Sequence, residues 1–290
     1  GLVIDLRGNG GGSLEAVINL SALFIDPAKT VVQIKNYNGS VDERSSASEK
    51  KIYDGPLMVI TDRLSASASE IFAGSIQDQG RGLIVGNTTF GKGTVQSLLP
   101  LDGWLSKAEK PGQSKVTIAM FYRANGESTQ EKGVEPNIVL PQIYNPADIG
   151  ESKEKYVLPW DQIPASKNLV VTETLSKVSE PLQALHNDRL ANDEKLQIFQ
   201  KQRDKVQALW DVKTLSLNLE ERRKELKDQE QEAFNRSNEI REMYELDPLT
   251  LEQYKNEDGS YTKLLKDTTP DILLDESINI MMDYIDLLNQ

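Results

Sequence analysis

Cysteine and histidine, which supply many enzymes with nucleophiles, bases and metal ligands, are almost missing from this chain. Its 290 residues include no cysteine and one histidine, His186, which lies in a charged stretch far from the glycine-rich part of the sequence. The lack of cysteine excludes thiol nucleophiles, disulfides and thiolate metal sites, and a single histidine argues against a zinc site. A reactive serine in this chain would need a base other than histidine, and a neutral lysine is the known substitute.

Long hydrophobic runs and an excess of positive charge are also lacking. No apolar run approaches the roughly 20 residues that span a membrane, and the net charge of −12 argues against a nucleic-acid partner. The hydrophobic content of 38% and the charged content of 27% are ordinary for a globular protein, and 290 residues are enough for two domains. Residues 1–6 read as a buried strand without a lead-in, so we expect the chain to be a piece of a longer precursor.

Glycine usage divides the chain into two parts. Eighteen of the 19 glycines lie at or before Gly150, where short apolar runs alternate with turns and two helical segments. The strand candidates are Leu2–Leu6, Thr30–Ile34, Leu57–Thr61, Gly82–Val85, Thr94–Leu99 and Lys115–Tyr122, and the helix candidates are Ser13–Phe24 and Ser67–Ile76. Strands mixed with crossover helices predict an α/β domain over residues 1–148.

Residues 149–290 form a second predicted domain, which is mainly helical. Within it, apolar residues recur at three-, four- and seven-residue steps in a background rich in Lys, Glu and Gln. The alternating leucines of Leu215–Leu219 predict a short strand instead. The predicted later helix starts are the capping residue Asn218, for a charged helix to about Glu245, and Pro270, for a final amphipathic helix.

Ser65–Glu70 (Ser-Ala-Ser-Ala-Ser-Glu) follows the turn after an apolar strand and begins a predicted helix. A hydroxyl at this position meets free backbone N–H groups and the positive end of the helix dipole, which favour negative charge. Ser67 is therefore a candidate nucleophile, and the N–H of Ala68 is a candidate oxyanion donor. Taken alone, serines at such a place are more often helix caps.

Lys92 lies between two glycines in the segment Phe90–Gln96 (Phe-Gly-Lys-Gly-Thr-Val-Gln). A lysine acts as a base only when it is neutral, and desolvation in a tight glycine turn favours the neutral form. Gln96 falls on the same face as Lys92 if the segment is extended, where its side chain can hold the amine by a hydrogen bond. Taken in isolation, the segment is more often a surface turn with an exposed lysine.

The glycine loop of Asp5–Ser13 follows the first strand and lets backbone amides approach a ligand closely. It can supply a second oxyanion donor, from Gly11 or Gly12, or cradle a phosphate. A phosphate site has a second indication, because Gly86–Lys92 matches the G-x-x-x-x-G-K of a nucleotide-binding P-loop. That motif requires Ser or Thr next and then a helix, whereas Gly93 and a β-prone run follow here. The P-loop is therefore the weaker alternative.

In this order, the three segments resemble the C-terminal processing peptidases, also called tail-specific proteases. The motifs are Asp-Leu-Arg-Gly-Asn-Gly-Gly-Gly (5–12), Ser-Ala-Ser-Ala-Ser-Glu (65–70), Phe-Gly-Lys-Gly-Thr-Val-Gln (90–96) and Lys-Gly-Val-Glu-Pro-Asn-Ile (132–138). Their spacing agrees as well, with Lys92 lying 25 positions after Ser67. The resemblance covers nearly the whole chain, since the region from about residue 150 is similar to the C-terminal domain of the long members of the family.

The resemblance implies a crotonase-like α/β core with a mainly helical C-terminal domain, and a serine endopeptidase that needs no cofactor or metal. By position, Ser67 is the nucleophile, Lys92 is the general base and Gln96 orients the lysine. Ala68 and an amide of Gly11 or Gly12 form the oxyanion hole. The expected substrates are unfolded or C-terminally tagged proteins with apolar C-termini, with an adaptor protein as a possible partner, in the bacterial periplasm.

Family members also carry a PDZ domain before the strand with which this chain begins. We therefore expect the chain to be an incomplete catalytic fragment. The competing interpretation is an inactive scaffold of the same fold that binds partners through its helical part. The substitution Ser67→Ala separates the two, because a scaffold does not depend on that hydroxyl.

Overall fold

The computed structural model describes residues 1–45, 50–101, 112–142, 148–169, 174–256, 259–262 and 269–289. These residues form two compact units, one made of Gly1–Ala184 with Asn279–Gln290 and the other of Leu185–Ile278. The strands lie in the first unit, and the second unit is helical. The predicted α/β core and the mainly helical C-terminal part are confirmed.

The strands are β1 Leu2–Asp5, β2 Thr30–Asn36, β3 Val41–Ser45, β4 Leu57–Thr61, β5 Leu83–Gly86, β6 Thr94–Pro100, β7 Gln113–Tyr122 and β8 Ile138–Val139. The helices are α1 Leu14–Ser21, α2 Ala68–Asp78, α3 Thr174–Asn192, α4 Glu194–Trp210, α5 Leu219–Met243, α6 Leu251–Tyr254 and α7 Ile272–Leu288, with a short 3₁₀ turn at Glu151–Lys153.

A parallel sheet with the order β1-β4-β5-β8 forms the centre of the first unit. The five residues of β4 are all buried, as expected for an inner strand covered on both faces. Helices α1 and α2 contribute Val17, Ile71, Phe72 and Ile76 to the core cluster. The Phe24 and Phe72 rings meet edge to face with their centroids 5.9 Å apart.

The three motifs of the sequence each follow one of the neighbouring strands β1, β4 and β5. The glycine loop comes after β1, the serine segment after β4 and the lysine segment after β5. Since parallel strands end at the same edge of their sheet, segments far apart in sequence are brought together there. The parallel sheet is thus the reason why the motifs share one site.

A second sheet is antiparallel, with the order β3-β2-β7-β6. The sequence did not predict β3, whose residues Val-Asp-Glu-Arg-Ser are mostly exposed and charged, because an edge strand without a buried face has no apolar alternation. The two-residue strand β8 was also missed. The six predicted strands are all present, with ends that differ by at most two residues.

The strand predicted at Leu215–Leu219 is wrong. Residues 212–218 have no regular secondary structure, and α5 begins at Leu219. Leu215 and Leu217 are strongly exposed, so their alternation does not mark a buried face. Asn218 does cap α5 as predicted, since its Oδ1 accepts hydrogen bonds from the backbone N of Glu220 and Glu221 at 2.9 and 3.3 Å.

In the second unit, the single histidine has a buried polar environment. His186 Nδ1 lies 2.7 Å from Glu276 Oε1, and Arg189 Nε donates to both oxygens of the same carboxylate at 3.0 Å. His186 and Glu276 are almost completely buried. Their mutual contacts give this histidine a structural environment in the helical unit. None of the described helices is both long and apolar enough to span a bilayer.

Candidate active site

Ser67 has an unusual backbone conformation immediately before α2. Its φ and ψ are 58° and −111°, a region that residues other than glycine rarely adopt and that costs on the order of 1–3 kcal/mol. This conformation departs from the extended geometry of a helix cap, and the hydroxyl donates a hydrogen bond to no described residue. The side chain is half-buried and faces a cavity. A strained serine whose hydroxyl proton has no described acceptor is an arrangement expected of a nucleophile on a sharp turn.

The two flanking serines have structural contacts instead. Ser65 is fully buried, and its hydroxyl donates to the carbonyl of Leu6 at 2.8 Å. The Ser69 hydroxyl donates to the carbonyl of Asn9 at 2.9 Å. Both hydrogen bonds connect the serine segment to the glycine loop Asp5–Ser13. Of the three serines, only Ser67 has a hydroxyl that donates to no described acceptor.

The glycine loop lies directly against the serine segment. Gly11 has a φ of +95°, and a Cβ at this residue would lie 2.5 Å from the carbonyl oxygen of Ala66 and 2.8 Å from the backbone N of Ala68. Only glycine fits this approach. The N–H of Gly11 donates to Asn9 Oδ1 at 2.9 Å, and the carbonyl of Asn9 accepts from the N–H of Ala66 at 3.0 Å. Asn9 thus holds the loop on the serine segment and engages the Gly11 amide itself.

Glu70 connects the serine segment with the lysine segment. Its carboxylate is completely buried and accepts four hydrogen bonds: from the backbone N of Ser67 at 2.7 Å, of Gly91 at 2.7 Å and of Lys92 at 2.9 Å, and from the hydroxyl of Thr89 at 2.6 Å. Burial raises the pKa of Glu70 to about 7, and the four donors oppose this shift. One carboxylate therefore sets the separation of Ser67 and Lys92.

A cavity of about 440 Å³ is lined by all six candidate site residues predicted from the sequence. Its polar lining includes Ser67, Lys92, Gln96, the backbone of Ala68 and the loop Gly10–Gly12. Its apolar lining consists of Leu14, Ile71, Val95 and Phe121. The three polar side chains share no hydrogen bond with one another in the described structure. Catalytic hydrogen bonds are often long in a site without substrate, so the shared cavity is the informative observation.

Gln96 lies at an irregularity in the pairing of the second sheet. The pairing of β6 with β7 shifts register between Val95 and Gln96. Thr94, Val95 and Gln96 all line the cavity, next to this shift in register. Lys92 and Gln96 therefore share one cavity, in agreement with the common face predicted for them.

The structure around Lys92 does not fit the P-loop alternative. Gly93 follows Lys92 where a P-loop has Ser or Thr, and the next element is the strand β6 instead of a helix. Within the described residues there is also no group of three or more His, Cys, Asp or Glu side chains that could hold a metal ion.

Glu70 and Asn9 were missed when the sequence was read for catalytic side chains. A signal for Glu70 was available, because Ser67-Ala-Ser-Glu70 has the Ser-x-x-Glu spacing of a capping box, in which the glutamate bonds the backbone at the helix start. No local sequence pattern predicts that the Glu70 carboxylate accepts hydrogen bonds from the backbone N of Gly91 and Lys92. Those depend on the adjacency of β4 and β5.

Comparison with known proteins gives two family matches in succession along the chain. Residues 1–140 match peptidase family S41, and residues 144–286 match the C-terminal domain of tail-specific proteases. The first match contains all six predicted site residues.

Individual relatives agree with these matches. The chain is 35% identical over 299 aligned positions to the tail-specific protease of Haemophilus influenzae, a similarity that covers 98% of this chain and 40% of that protein. It is 41% identical over 144 positions to the carboxy-terminal processing protease CtpB of Bacillus subtilis, covering 49% of this chain and 28% of that protein. A solved structure, the photosystem II D1 C-terminal processing protease, is similar with a TM-score of 0.42 and 34% identity, over 48% of this chain and 34% of that one.

Proposed function

This chain belongs to peptidase family S41 and continues into the C-terminal domain of tail-specific proteases, and on that premise we propose that it carries the catalytic residues of a serine endopeptidase with a Ser67–Lys92 dyad. The observation that carries the proposal is the strained Ser67, whose hydroxyl donates to no described acceptor and faces one cavity together with Lys92. Both residues donate backbone hydrogen bonds to the same buried carboxylate, that of Glu70.

In the proposed mechanism, the neutral amine of Lys92 removes the proton from Ser67 Oγ as this oxygen attacks the carbonyl carbon of a peptide bond. The tetrahedral intermediate collapses, the lysine ammonium returns the proton to the departing amine, and an acyl ester remains on Ser67. Water, deprotonated by the neutral lysine, then hydrolyses the ester. The start of α2 favours the negative charge that develops at the oxyanion.

The proposed oxyanion donors are the backbone N–H groups of Ala68 and Gly12. Ala68 is the first residue of α2, where an N–H has no partner within the helix. Gly11 is less suited than Gly12, because its N–H already donates to Asn9 Oδ1. Gln96, which lines the same cavity, is proposed to orient the lysine amine once substrate excludes water from the site.

The proposed substrates are unfolded or C-terminally tagged polypeptides with apolar C-termini. The apolar part of the cavity lining, formed by Leu14, Ile71, Val95 and Phe121, supports apolar side chains near the cleaved bond. A periplasmic location and delivery of substrate by an adaptor protein belong to the same proposal, as does cleavage without a cofactor. The chain spans 40% and 28% of the two relatives compared above, so activity is proposed for the protein that contains it.

Degradation of an unfolded reporter with an apolar C-terminal tail tests this function. Two forms are compared, the chain itself and a version extended at its N-terminus, and whichever form cleaves is called the active form below. Ser67→Ala and Lys92→Met are each expected to abolish cleavage. Ser75→Ala is the matched control, because it removes a buried, hydrogen-bonded hydroxyl from the same helix outside the cavity. Ser65→Ala and Ser69→Ala are poor controls, since their hydroxyls hold the glycine loop.

Retained cleavage in Ser67→Ala would overturn the proposed nucleophile. If both forms are folded and neither cleaves, with or without a candidate adaptor, the inactive scaffold becomes the better assignment. Loss of cleavage in Ser75→Ala as well as Ser67→Ala would point to a folding defect, which a thermal unfolding measurement on each variant identifies.

A further inference from the structure

We propose that Gln130 is a positioning residue for Lys92, which ties the lysine loop Phe90–Gly93 to the segment 149–158 that follows the predicted catalytic core. This inference rests on the proposed function, because it assumes that Lys92 is the base. It adds a residue that lies outside the catalytic motifs and does not line the cavity.

The lysine loop has a partner for every backbone polar group. Its N–H groups donate to Ser65 O (Phe90, 2.9 Å), to the Glu70 carboxylate (Gly91 and Lys92, 2.7 and 2.9 Å) and to Gln130 Oε1 (Gly93, 2.8 Å). Its carbonyls accept from the N–H groups of Glu151 (Phe90, 3.0 Å), Glu131 (Gly91, 2.7 Å) and Phe121 (Gly93, 2.9 Å) and from the Thr129 hydroxyl (Lys92, 3.4 Å). A loop with all eight groups engaged has little freedom to move, which is what a lysine base with no side-chain partner requires.

Gln130 is the loop's partner on the side away from Glu70. Its side chain is completely buried. While Oε1 accepts from Gly93, Nε2 donates to the carbonyl of Leu158 at 3.0 Å and to Glu151 Oε1 at 3.3 Å. A Cβ on Gly93 would lie 2.8 Å from the backbone N of Gln130, so the two chain segments are as close as a glycine allows. One amide side chain thus joins the lysine loop to residues about 60 positions further along.

The segment 149–158 has two further connections to this region, one to Phe90 and one to Thr89, the residue before the lysine loop. The N–H of Glu151 donates to the Phe90 carbonyl. The buried guanidinium of Arg63 bridges the carbonyl of Ile149, at 2.6 Å from Nε, and the carbonyl of Thr89, at 2.5 Å from Nη1. Charge-assisted bonds of this kind are stronger than those between neutral groups. The lysine loop is therefore fixed from outside by chain that lies beyond residue 148.

Removing the Gln130 amide would leave the Gly93 N–H buried without an acceptor and would detach the loop from Leu158. A buried unsatisfied N–H is unfavourable, and the loop relieves it by moving. A displacement of about 1 Å of a catalytic group costs about 10²-fold in rate. Because substrate contacts elsewhere in the cavity are unchanged, the loss is expected in kcat and not in KM.

The variant Gln130→Met tests this, since methionine has a similar volume but offers neither the acceptor nor the donor. Gln33→Met is the matched control. Gln33 is also a buried glutamine, and its Nε2 donates to the carbonyls of Arg123 and Pro164 at 3.1 and 3.2 Å, away from the lysine loop. In the active form, we expect Gln130→Met to lower kcat by about 10- to 100-fold with KM within twofold, and Gln33→Met to leave kcat within twofold despite a comparable loss of stability.

A second measurement does not depend on activity. Amide hydrogen exchange at Gly91, Lys92 and Gly93 is expected to accelerate in Gln130→Met and to stay unchanged in Gln33→Met. Unchanged kcat in Gln130→Met, or an equal loss in Gln33→Met, would overturn the positioning role alone, provided that Lys92→Met is inactive in the same assay. If Lys92→Met retains activity, the proposed base and its positioning by Gln130 both fail.

Discussion

The backbone N of Lys92 donates to the carboxylate of Glu70 at 2.9 Å, and the same carboxylate accepts from the backbone N of Ser67 at 2.7 Å. The candidate base and the candidate nucleophile are therefore bonded through their main chains to one buried group, although no bond joins their side chains in the described structure. The distance between them follows from the position of Glu70.

The substitution Glu70→Gln is expected to lower kcat by about 10²-fold. Glutamine has the same shape, but its NH₂ group would face two donors that the carboxylate oxygen accepts, so at least one buried N–H or hydroxyl loses its partner. The accompanying loss of unfolding free energy is expected to be about 1–3 kcal/mol. Steady-state kinetics and urea unfolding of the active form measure both effects. Glu135→Gln, at an exposed glutamate, is the control, and unchanged kcat in Glu70→Gln would show that Glu70 does not position the site.

Activity and stability are expected to change in opposite directions across neutral pH. Burial raises the pKa of Glu70 from 4.5 to about 7. Between pH 4.5 and about 7, the carboxyl group therefore keeps its proton in the folded protein and loses it in the unfolded chain. This proton stabilises the fold fully below pH 4.5, and the contribution, on the order of 3 kcal/mol, is lost as the pH rises through about 7. Protonated Glu70 cannot accept all four of its hydrogen bonds, so cleavage is expected to increase over the same interval.

Urea unfolding and kcat measured from pH 5 to 8.5 test this relationship. In Glu70→Gln, the slope of stability against pH over this range is expected to flatten. A slope that is the same in both proteins would assign the pH dependence of stability to other groups.

Gly11→Ala is expected to abolish cleavage, because the new Cβ would lie 2.5 Å from the Ala66 carbonyl and push the glycine loop away from Ser67 and Ala68. Gly8→Ala is a close control. Gly8 is in the same loop and also has a positive φ, of +69°, but nothing lies within 4 Å of its added Cβ. Gly8→Ala therefore adds only the backbone strain, about 1 kcal/mol or slightly more. Cleavage rates and thermal unfolding of the two variants separate the steric effect from the strain, and similar activities would contradict the close approach.

The grouping of the candidate side chains could be predicted where residue chemistry and strand ends coincide. The near-absence of histidine and cysteine, together with the motifs around them, identified Ser67 and Lys92 as a candidate pair. The buried run Leu57–Thr61 identified the central strand that delivers Ser67 to the edge of the sheet. The positions of Ser67, Lys92 and Gln96 in one cavity agree with the predicted grouping, while their catalytic roles stay predictions.

What could not be predicted depends on contacts between distant segments. The positive φ of Ser67 and the register shift between β6 and β7 at Val95–Gln96 have no local sequence signal. The hydrogen bond from the Gly93 N–H to Gln130 Oε1 could not be predicted, because it depends on the packing of residues that lie 37 positions apart in the sequence. Conversely, the alternating leucines of Leu215–Leu219 predicted a strand that the structure does not contain, because these side chains are exposed and cover no buried face.

The substitution His186→Phe tests whether the histidine of the helical unit contributes to catalysis. His186 is buried against Glu276 in the helical unit, so His186→Phe would keep a ring of similar size and remove one partner of a buried carboxylate. Arg189 still bonds that carboxylate, and the expected loss of stability is therefore only about 1–3 kcal/mol. Because the proposed base is Lys92, kcat is expected to stay within twofold at a temperature where the variant is folded. Urea unfolding and reporter cleavage by the active form measure the two quantities. A large fall in kcat without a change in stability would point to histidine-dependent catalysis, which the Ser67–Lys92 dyad does not contain.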